Sequence, residues 1–224
     1  MWEDSSGHGR NATVTGHVTR SIDASSGLAM ISGSMSASVT FPVDGLGSRY
    51  TLFHRARYNG ENKGRIFRSR YPRASCYWWS GFHWQRSGVA HHDGWMTPDT
   101  DVFGSGWVVS TDQSYLYRGN GALLGTGGGG RSPCDLGINT YSGEESDWAV
   151  TDVLLFSREL SLLEILEVEA TFPSMPSANP TAAPSAGPSM VPSVAPSGPT
   201  QLPSAAPSGP TLSPTAGEAA GPSE

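Results

Sequence analysis

The sequence predicts an all-β domain, a two-sheet antiparallel jelly-roll sandwich with one short C-terminal helix, followed by a disordered tail. Three observations lead there. All seven Trp and all seven Tyr of the 224-residue chain lie within residues 1–170, whereas thirteen of the seventeen prolines fall at or after Pro173. Within residues 1–170, short alternating segments are separated by Gly, Ser, Asn and Asp clusters, the pattern of strands and tight turns. After the last such segment comes a single helix-start signature, Ser161 with Glu164 three residues on, in which each side chain satisfies a backbone amide of the other.

Ten segments read as strands: 12–18, 37–41, 50–58, 64–68, 77–84, 88–92, 107–111, 114–118, 136–139 and 147–156. In the third, alternation puts Tyr50, Leu52, His54 and Ala56 on one face and Thr51, Phe53, Arg55 and Arg57 on the other, so neither face is purely apolar. Asn59-Gly60, Asp93-Gly94 and Asn120-Gly121 are dipeptides that favour the positive φ of tight hairpins. The nearly continuous apolar run 148–156 suits a central strand buried on both faces, and Asp152 within it needs a partner if buried. In the helix, Leu162, Leu163, Ile165, Leu166 and Val168 form the apolar face, with Glu164, Glu167 and Glu169 mainly outward. Residues 171–224 repeat Pro every four residues from Pro176 to Pro196, a pattern of extended polyproline II and of a stalk or spacer without a core.

Composition excludes several classes. The net charge of −6 gives no basic field for nucleic acid. No apolar run approaches the roughly 20 residues of a membrane-spanning helix. The run Gly127–Gly130 lacks the Lys-Ser/Thr of a phosphate loop. Lys63 is the one lysine, and the arginines concentrate from Arg49 to Arg73, including Arg55, Arg57, Arg65, Arg68 and Arg70. Their alternation reads as a solvated outer sheet face, or as a contact surface for an acidic glycan. Glu-x-Asp-x-Glu strands, Gly-x-Ser-x-Gly elbows and His-Glu-x-x-His helices do not occur, so the chain reads as non-catalytic. Met1-Trp2-Glu3-Asp4 leads at once into a polar turn without a leader peptide. Cys76 and Cys134 permit one bridge or two free thiols, and Asn11-Ala12-Thr13 is an N-glycosylation sequon; both features point to an extracellular or cell-surface setting.

The densest candidate site runs from Tyr77 to Arg86 and continues from His91 to Trp95. Sugar recognition uses aromatic faces beside amides, carboxylates and guanidinium groups. Trp78, Trp84, Arg86, His91, Asp93 and Trp95 are the candidate ligand-binding residues, with Trp79 expected in the core and Trp78 and Trp84 on the opposite face. His91 and His92 are adjacent on a strand and point to opposite faces, so they do not grip one metal ion. Asp99 and Asp101, with Asp4 or Asp152, leave calcium as the one cofactor open to the chain, because calcium takes oxygen ligands.

Two segments carry a resemblance. Asp4-Ser-Ser-Gly-His-Gly-Arg-Asn-Ala12 resembles the opening turn of laminin-G-like, concanavalin A-like domains, and Asp147–Phe156 followed by Arg158-Glu-Leu-Ser161 and the acidic helix resembles their closing strand and helix. The resemblance spans residues 1–170 and implies a jelly roll that binds glycans or surface proteins as a monomeric accessory module, with calcium in some members. Such domains open with an additional apolar strand, which here implies a fragment and a partly unpaired neighbouring strand. The resulting expectation is a glycan-recognition or adhesion module on a stalk; the alternative is a structural or protein-interaction sandwich without a sugar site.

Overall fold

Side chains that alternate between two environments force a layered structure, and the computed structural model, which describes residues 2–42, 49–69, 77–127, 134–140 and 143–172, shows two such layers. All strand pairs are antiparallel. One sheet has the order β1 (Thr13–Thr15), β4 (Ser38–Phe41), β12 (Leu136–Ile138), β6 (Phe67–Arg68), β7 (Trp78–His83) and β8 (Arg86–His92). The other has the order β11 (Ala122–Thr126), β10 (Leu116–Gly119), β9 (Val108–Gln113), β5 (Thr51–Lys63), β13 (Ser146–Phe156), β3 (Ala29–Gly33) and β2 (Val18–Ile22). The chain divides into units Met1–Ala178 and Asn179–Glu224; the described residues all belong to the first, and the Pro-rich repeat lies outside them.

The inner faces of both sheets meet in one core that includes Tyr50, Leu52, Ala56, Trp78, Phe82, Trp148 and Val150. The outer face of β5 is also covered. Phe53 joins Leu160, Ile165 and Phe172 in a second cluster beneath the helix α1 (Leu162–Thr171), with Leu154 and Phe156 packed against it. The mixed faces of residues 50–57 are thus both interior, one under a sheet and one under a helix. β13 lies beside β5 as a central strand, and a register shift between Val150 and Asp152 makes Thr151 an extra residue. That bulge resets the alternation. Val153 and Leu155 turn to the inner core, while Asp152 turns outward to Arg55, 2.7 Å away.

Two sequence expectations need correction. The arginine cluster is not a solvated face: Arg55, Arg65 and Arg68 are each 2% exposed, because each is held by a carboxylate, Asp152 or Glu144. The helix also rotates differently from its apolar pattern. Ile165 and Val168 pack on the sheet while Leu162, Leu163 and Leu166 are exposed. Glu169 faces inward, accepting from Arg118 Nε at 2.9 Å and from Thr111 Oγ1 at 2.7 Å. The sheet surface beneath carries the buried Arg118, which would stand as an uncompensated charge without Glu169. The Ser161–Glu164 capping box forms as expected.

Three strands, β2, β3 and β11, were not legible. Residues 12–18 form two strands, broken at Gly16, whose φ is +77° and where a Cβ would lie 2.4 Å from the Ser36 carbonyl. The β2–β3 hairpin is held by Asp23, which accepts from Ser25, Ser26, Arg57 and the Trp107 indole; these donors hold its carboxyl far below the usual carboxylate range.

A polar network crosses the core. The Tyr50 hydroxyl donates to Asp112 at 2.5 Å and accepts from Trp78 Nε1 at 3.0 Å, and His92 Nε2 lies 3.2 Å from the same carboxylate. His54 contacts Ser80 Oγ at 3.0 Å and stacks on Phe67.

Replacing Arg118 by Ala strands Glu169 against the sheet, and chemical denaturation should record a loss of about 3 kcal/mol; a loss below about 1 kcal/mol would show that the pair is effectively solvated. Burial lowers the His54 pKa to about 3, against about 6.5 in an unfolded chain. Between these values the unfolded state takes up a proton that the folded state refuses, so stability rises with pH across this window. Urea titrations should show a loss of about 2–3 kcal/mol from this residue between about pH 7 and about pH 4.5, and His54→Gln should flatten that part of the profile.

Candidate functional site

The candidate surface is built on the β7–β8 hairpin. Trp78, Ser80 and Phe82 face inward, where they meet Tyr50, His54 and Tyr58. The intervening Trp79 and His83 therefore face outward. Across the ladder Trp78 pairs with His92 and Trp79 with His91, so His92 enters the core and His91 the outer face, as expected for adjacent strand residues. Gly88 is the extra residue of a bulge, with φ +80°, and a Cβ there would lie 2.8 Å from the Phe103 ring.

On the outer face, Trp79 is the hub. His91 stacks on it with ring centroids 3.9 Å apart and planes 9° apart, and the Arg65 guanidinium lies 3.8 Å from its centroid. Tyr77 and Trp95 meet it edge-on at 5.1 and 5.6 Å, and His83 stacks at 5.0 Å. Trp79 itself is buried, while Tyr77, Trp84 and Trp95 around it are 37%, 55% and 41% exposed. Arg65 pairs with Glu144 at 2.9 Å and donates to the Tyr77 hydroxyl at 3.1 Å; Arg68 shares the same carboxylate at 3.6 Å. Four buried polar atoms in this cluster have no hydrogen-bond partner: Arg65 Nε, Trp79 Nε1, His83 Nδ1 and His91 Nδ1. Burial, then the Arg65 and Arg86 charges, lowers the His83 pKa to about 4. His91 is lowered as well, by burial first. At neutral pH both rings act as neutral hydrogen-bonding groups rather than cations.

The hairpin tip presents Trp84 under strain. Trp84 and Gln85 have φ of +45° and +68°, the left-handed region that the two central residues of a type I′ turn require and that bulky residues avoid. Their amides donate to the carbonyls of Gly64 and Lys63 at 3.2 and 2.8 Å, so the end of β5 holds the turn in place. Such strain persists where surrounding structure over-determines it.

Of the sequence candidates, Trp84, His91 and Trp95 join this cluster. Arg86 pairs with Asp99 at 3.3 Å, half-exposed at the end of β8. Asp93, with φ +62°, is exposed in the turn that brings Trp95 back against His91. Trp78 is in the core, and the assignment of Trp78 and Trp79 to faces is reversed. Alternation separates the two rings, but only the ladder to the Asp112-bound His92 sets which faces inward. Arg65, Tyr77, Trp79 and His83 belong to this cluster but not to the candidate set; Arg65 arrives from another segment, with no local signal.

The carboxylates considered for calcium are each engaged. Asp4 accepts from the Ser6 and Arg10 amides, Asp99 pairs with Arg86, Asp101 accepts from Ser87 and Gly104, and Asp152 pairs with Arg55. Among the described residues, no three or more His, Cys, Asp or Glu converge as metal ligands. Cys134 is disulfide-bonded; Cys76, Arg70 and Arg73 lie outside the described residues. Asn11 is exposed, its side-chain carbonyl accepting from the Asp4 amide at 2.8 Å. No described helix is long and apolar enough to cross a membrane.

No family model and no curated protein matches the chain. Solved structures do match. Domain 4 of AbnA, a GH43 extracellular arabinanase from Geobacillus stearothermophilus solved in complex with arabinotriose, is 9% identical with a TM-score of 0.51 over 73% of this chain and 91% of that one. The binding domain of Paraclostridial Mosquitocidal Protein 1 is 14% identical with a TM-score of 0.50 over 75% of this chain and 48% of that one. A structure of botulinum neurotoxin type C, whose cell entry depends on two ganglioside molecules, is 15% identical with a TM-score of 0.49 over 75% of this chain and 48% of that one. The chain thus spans about half the length of the toxin structures it matches. At these identities the likeness to the arabinanase domain and the mosquitocidal protein's binding domain establishes a shared β-sandwich fold and nothing more.

Replacing Trp84-Gln85 by Asn-Gly relieves two left-handed residues and should raise hairpin stability by about 1–2 kcal/mol. Chemical denaturation measures this, and a destabilised variant would mean that Trp84 packing outweighs its backbone strain.

Proposed function

We propose that this chain is a carbohydrate-recognition sandwich of the laminin-G-like, concanavalin A-like type, with its ligand face on the outer side of the six-stranded sheet around Trp79. The carrying observation is Trp84, held more than half exposed at a positive φ beside exposed Trp95 and Tyr77. A fold spends strain on an exposed tryptophan where the ring does something that packing does not require. Exposed aromatic planes stack on the C–H faces of sugar rings, and the half-buried, neutral His83 and the half-exposed Arg86 beside them offer polar groups for hydroxyls.

Other features support this reading. The opening turn is pinned by Asp4 and the closing helix by Ser161, Glu164 and Arg158, so both segments that resemble the family work as local structural devices. The arabinanase domain that shares the fold was solved with a bound oligosaccharide. Glu144, the carboxylate bound within the cluster, is neutralised by two arginines, which suits binding rather than acid–base hydrolysis by a carboxylate pair. Disulfide-bonded Cys134 and the exposed Asn11 sequon suit an oxidising, extracellular compartment. The repeat from Pro176 onward then serves as a stalk that carries the module outward.

A glycan array probed with and without calcium should give hits. Trp84→Ala and Trp95→Ala should each weaken the best ligand about tenfold or more, the loss of one stacking plane being worth roughly 1–3 kcal/mol, with circular dichroism showing the β fold retained. An array blank under both conditions, or ligands indifferent to both substitutions, would overturn the proposal.

A further inference from the structure

The exposed rings of the Trp79 cluster offer two separate planes. Both faces of Trp79 are taken, one by His91 at 3.9 Å and the other by the Arg65 guanidinium at 3.8 Å. Trp95 stands at 86° to Trp79 and 85° to His91, with centroids 5.6 and 5.4 Å away. A ring perpendicular to both members of a stacked pair, and this close to both, lies across their edges. One face of Trp95 therefore rests on the stack, and its exposed side is the other face. Trp84, at the hairpin tip, supplies the second plane. Trp84 and Trp95 make no ring contact with each other among the described residues, yet each meets His83 at 67°, with centroids 6.2 and 5.5 Å away. Directly across the ladder from His83 stands Arg86, paired with Asp99 at 3.3 Å, and both of these side chains are partly exposed. The two stacking planes are thus joined through a polar centre.

We infer, on the premise that this face binds carbohydrate, that its ligand is an unbranched, uncharged oligosaccharide held at three consecutive units. One unit stacks on Trp95, one stacks on Trp84, and the unit between them meets Arg86 and Asp99. A guanidinium beside a carboxylate offers a donor and an acceptor to a pair of neighbouring hydroxyls. As an ion pair the two carry no net charge to attract an acidic sugar. A single sugar would cover one tryptophan and leave the other idle, although Trp84 is held at a φ of +45° that a bulky side chain avoids. Linked units use both planes, because once the first has stacked, the second binds at the high effective concentration set by the linkage.

The test titrates the full chain by calorimetry with unbranched ladders of one to six units built from glucose, mannose, xylose or arabinose. On the ladder that binds, affinity should rise about tenfold or more between the single sugar and the three-unit chain, then level off. Trp84→Ala and Trp95→Ala should each lower affinity for the three-unit chain about tenfold, while no more than one of them alters affinity for the single sugar. Tyr115→Ala, which removes an exposed aromatic ring between β9 and β10, should change neither. A single sugar bound as tightly as the longer chains, measured on the unsubstituted protein, overturns the inference and leaves carbohydrate recognition standing. So do long chains that respond to one tryptophan substitution and ignore the other. Ladders that all fail to bind overturn carbohydrate recognition and this inference together.

Discussion

β5 and β13 bury both of their faces, and this constraint organises the rest of the molecule. A strand that is apolar or charge-paired on both sides needs a layer on each, so the seven-stranded sheet carries the six-stranded sheet on its inner face and α1 on its outer one. The Thr151 bulge makes this possible. It shifts the phase of β13 so that Asp152 faces Arg55 beneath the helix end, while Val153 and Leu155 stay on the core side. Without it, regular alternation would aim a carboxylate at the core, where an unpaired charge is costly.

The six-stranded sheet stands under a different constraint. Its inner face is spent on the core, and no described strand or helix lies over its outer face. That face is instead filled by its own large side chains: Trp79 between His91 and Arg65, with Tyr77 and Trp95 edge-on. Trp79 and His91, the stacked pair at its centre, stand on the adjacent strands β7 and β8, which fixes their geometry. Depressed histidine basicity follows from the same packing, since burial and the nearby guanidinium groups both disfavour a second positive charge.

Between the sheets, Asp112 ties Tyr50 of one layer to His92 of the other, and the Tyr50 hydroxyl also receives the Trp78 indole. Such a network gains little net energy over an apolar core, but it penalises every arrangement that leaves one member unsatisfied. It thereby fixes which of Trp78 and Trp79 is interior, and so which ring becomes the hub of the outer surface.

Much of this was legible in the chain itself. The two-layer antiparallel class, ten of the strands, the capped helix, the need of Asp152 for a partner and the opposed directions of His91 and His92 all follow from period-two alternation and local hydrogen bonding, which nearest neighbours in sequence decide. The edge strands β2, β3 and β11 were not, because their residues are mixed and their order comes from pairing. Tertiary structure alone decided that Arg55, Arg65 and Arg68 are buried, that Glu169 turns inward while three leucines stay in water, and that Arg65 reaches Trp79. The reason is physical: burying a charge or choosing a face depends on a partner distant in sequence, and alternation says that two faces differ without saying which one the core will claim.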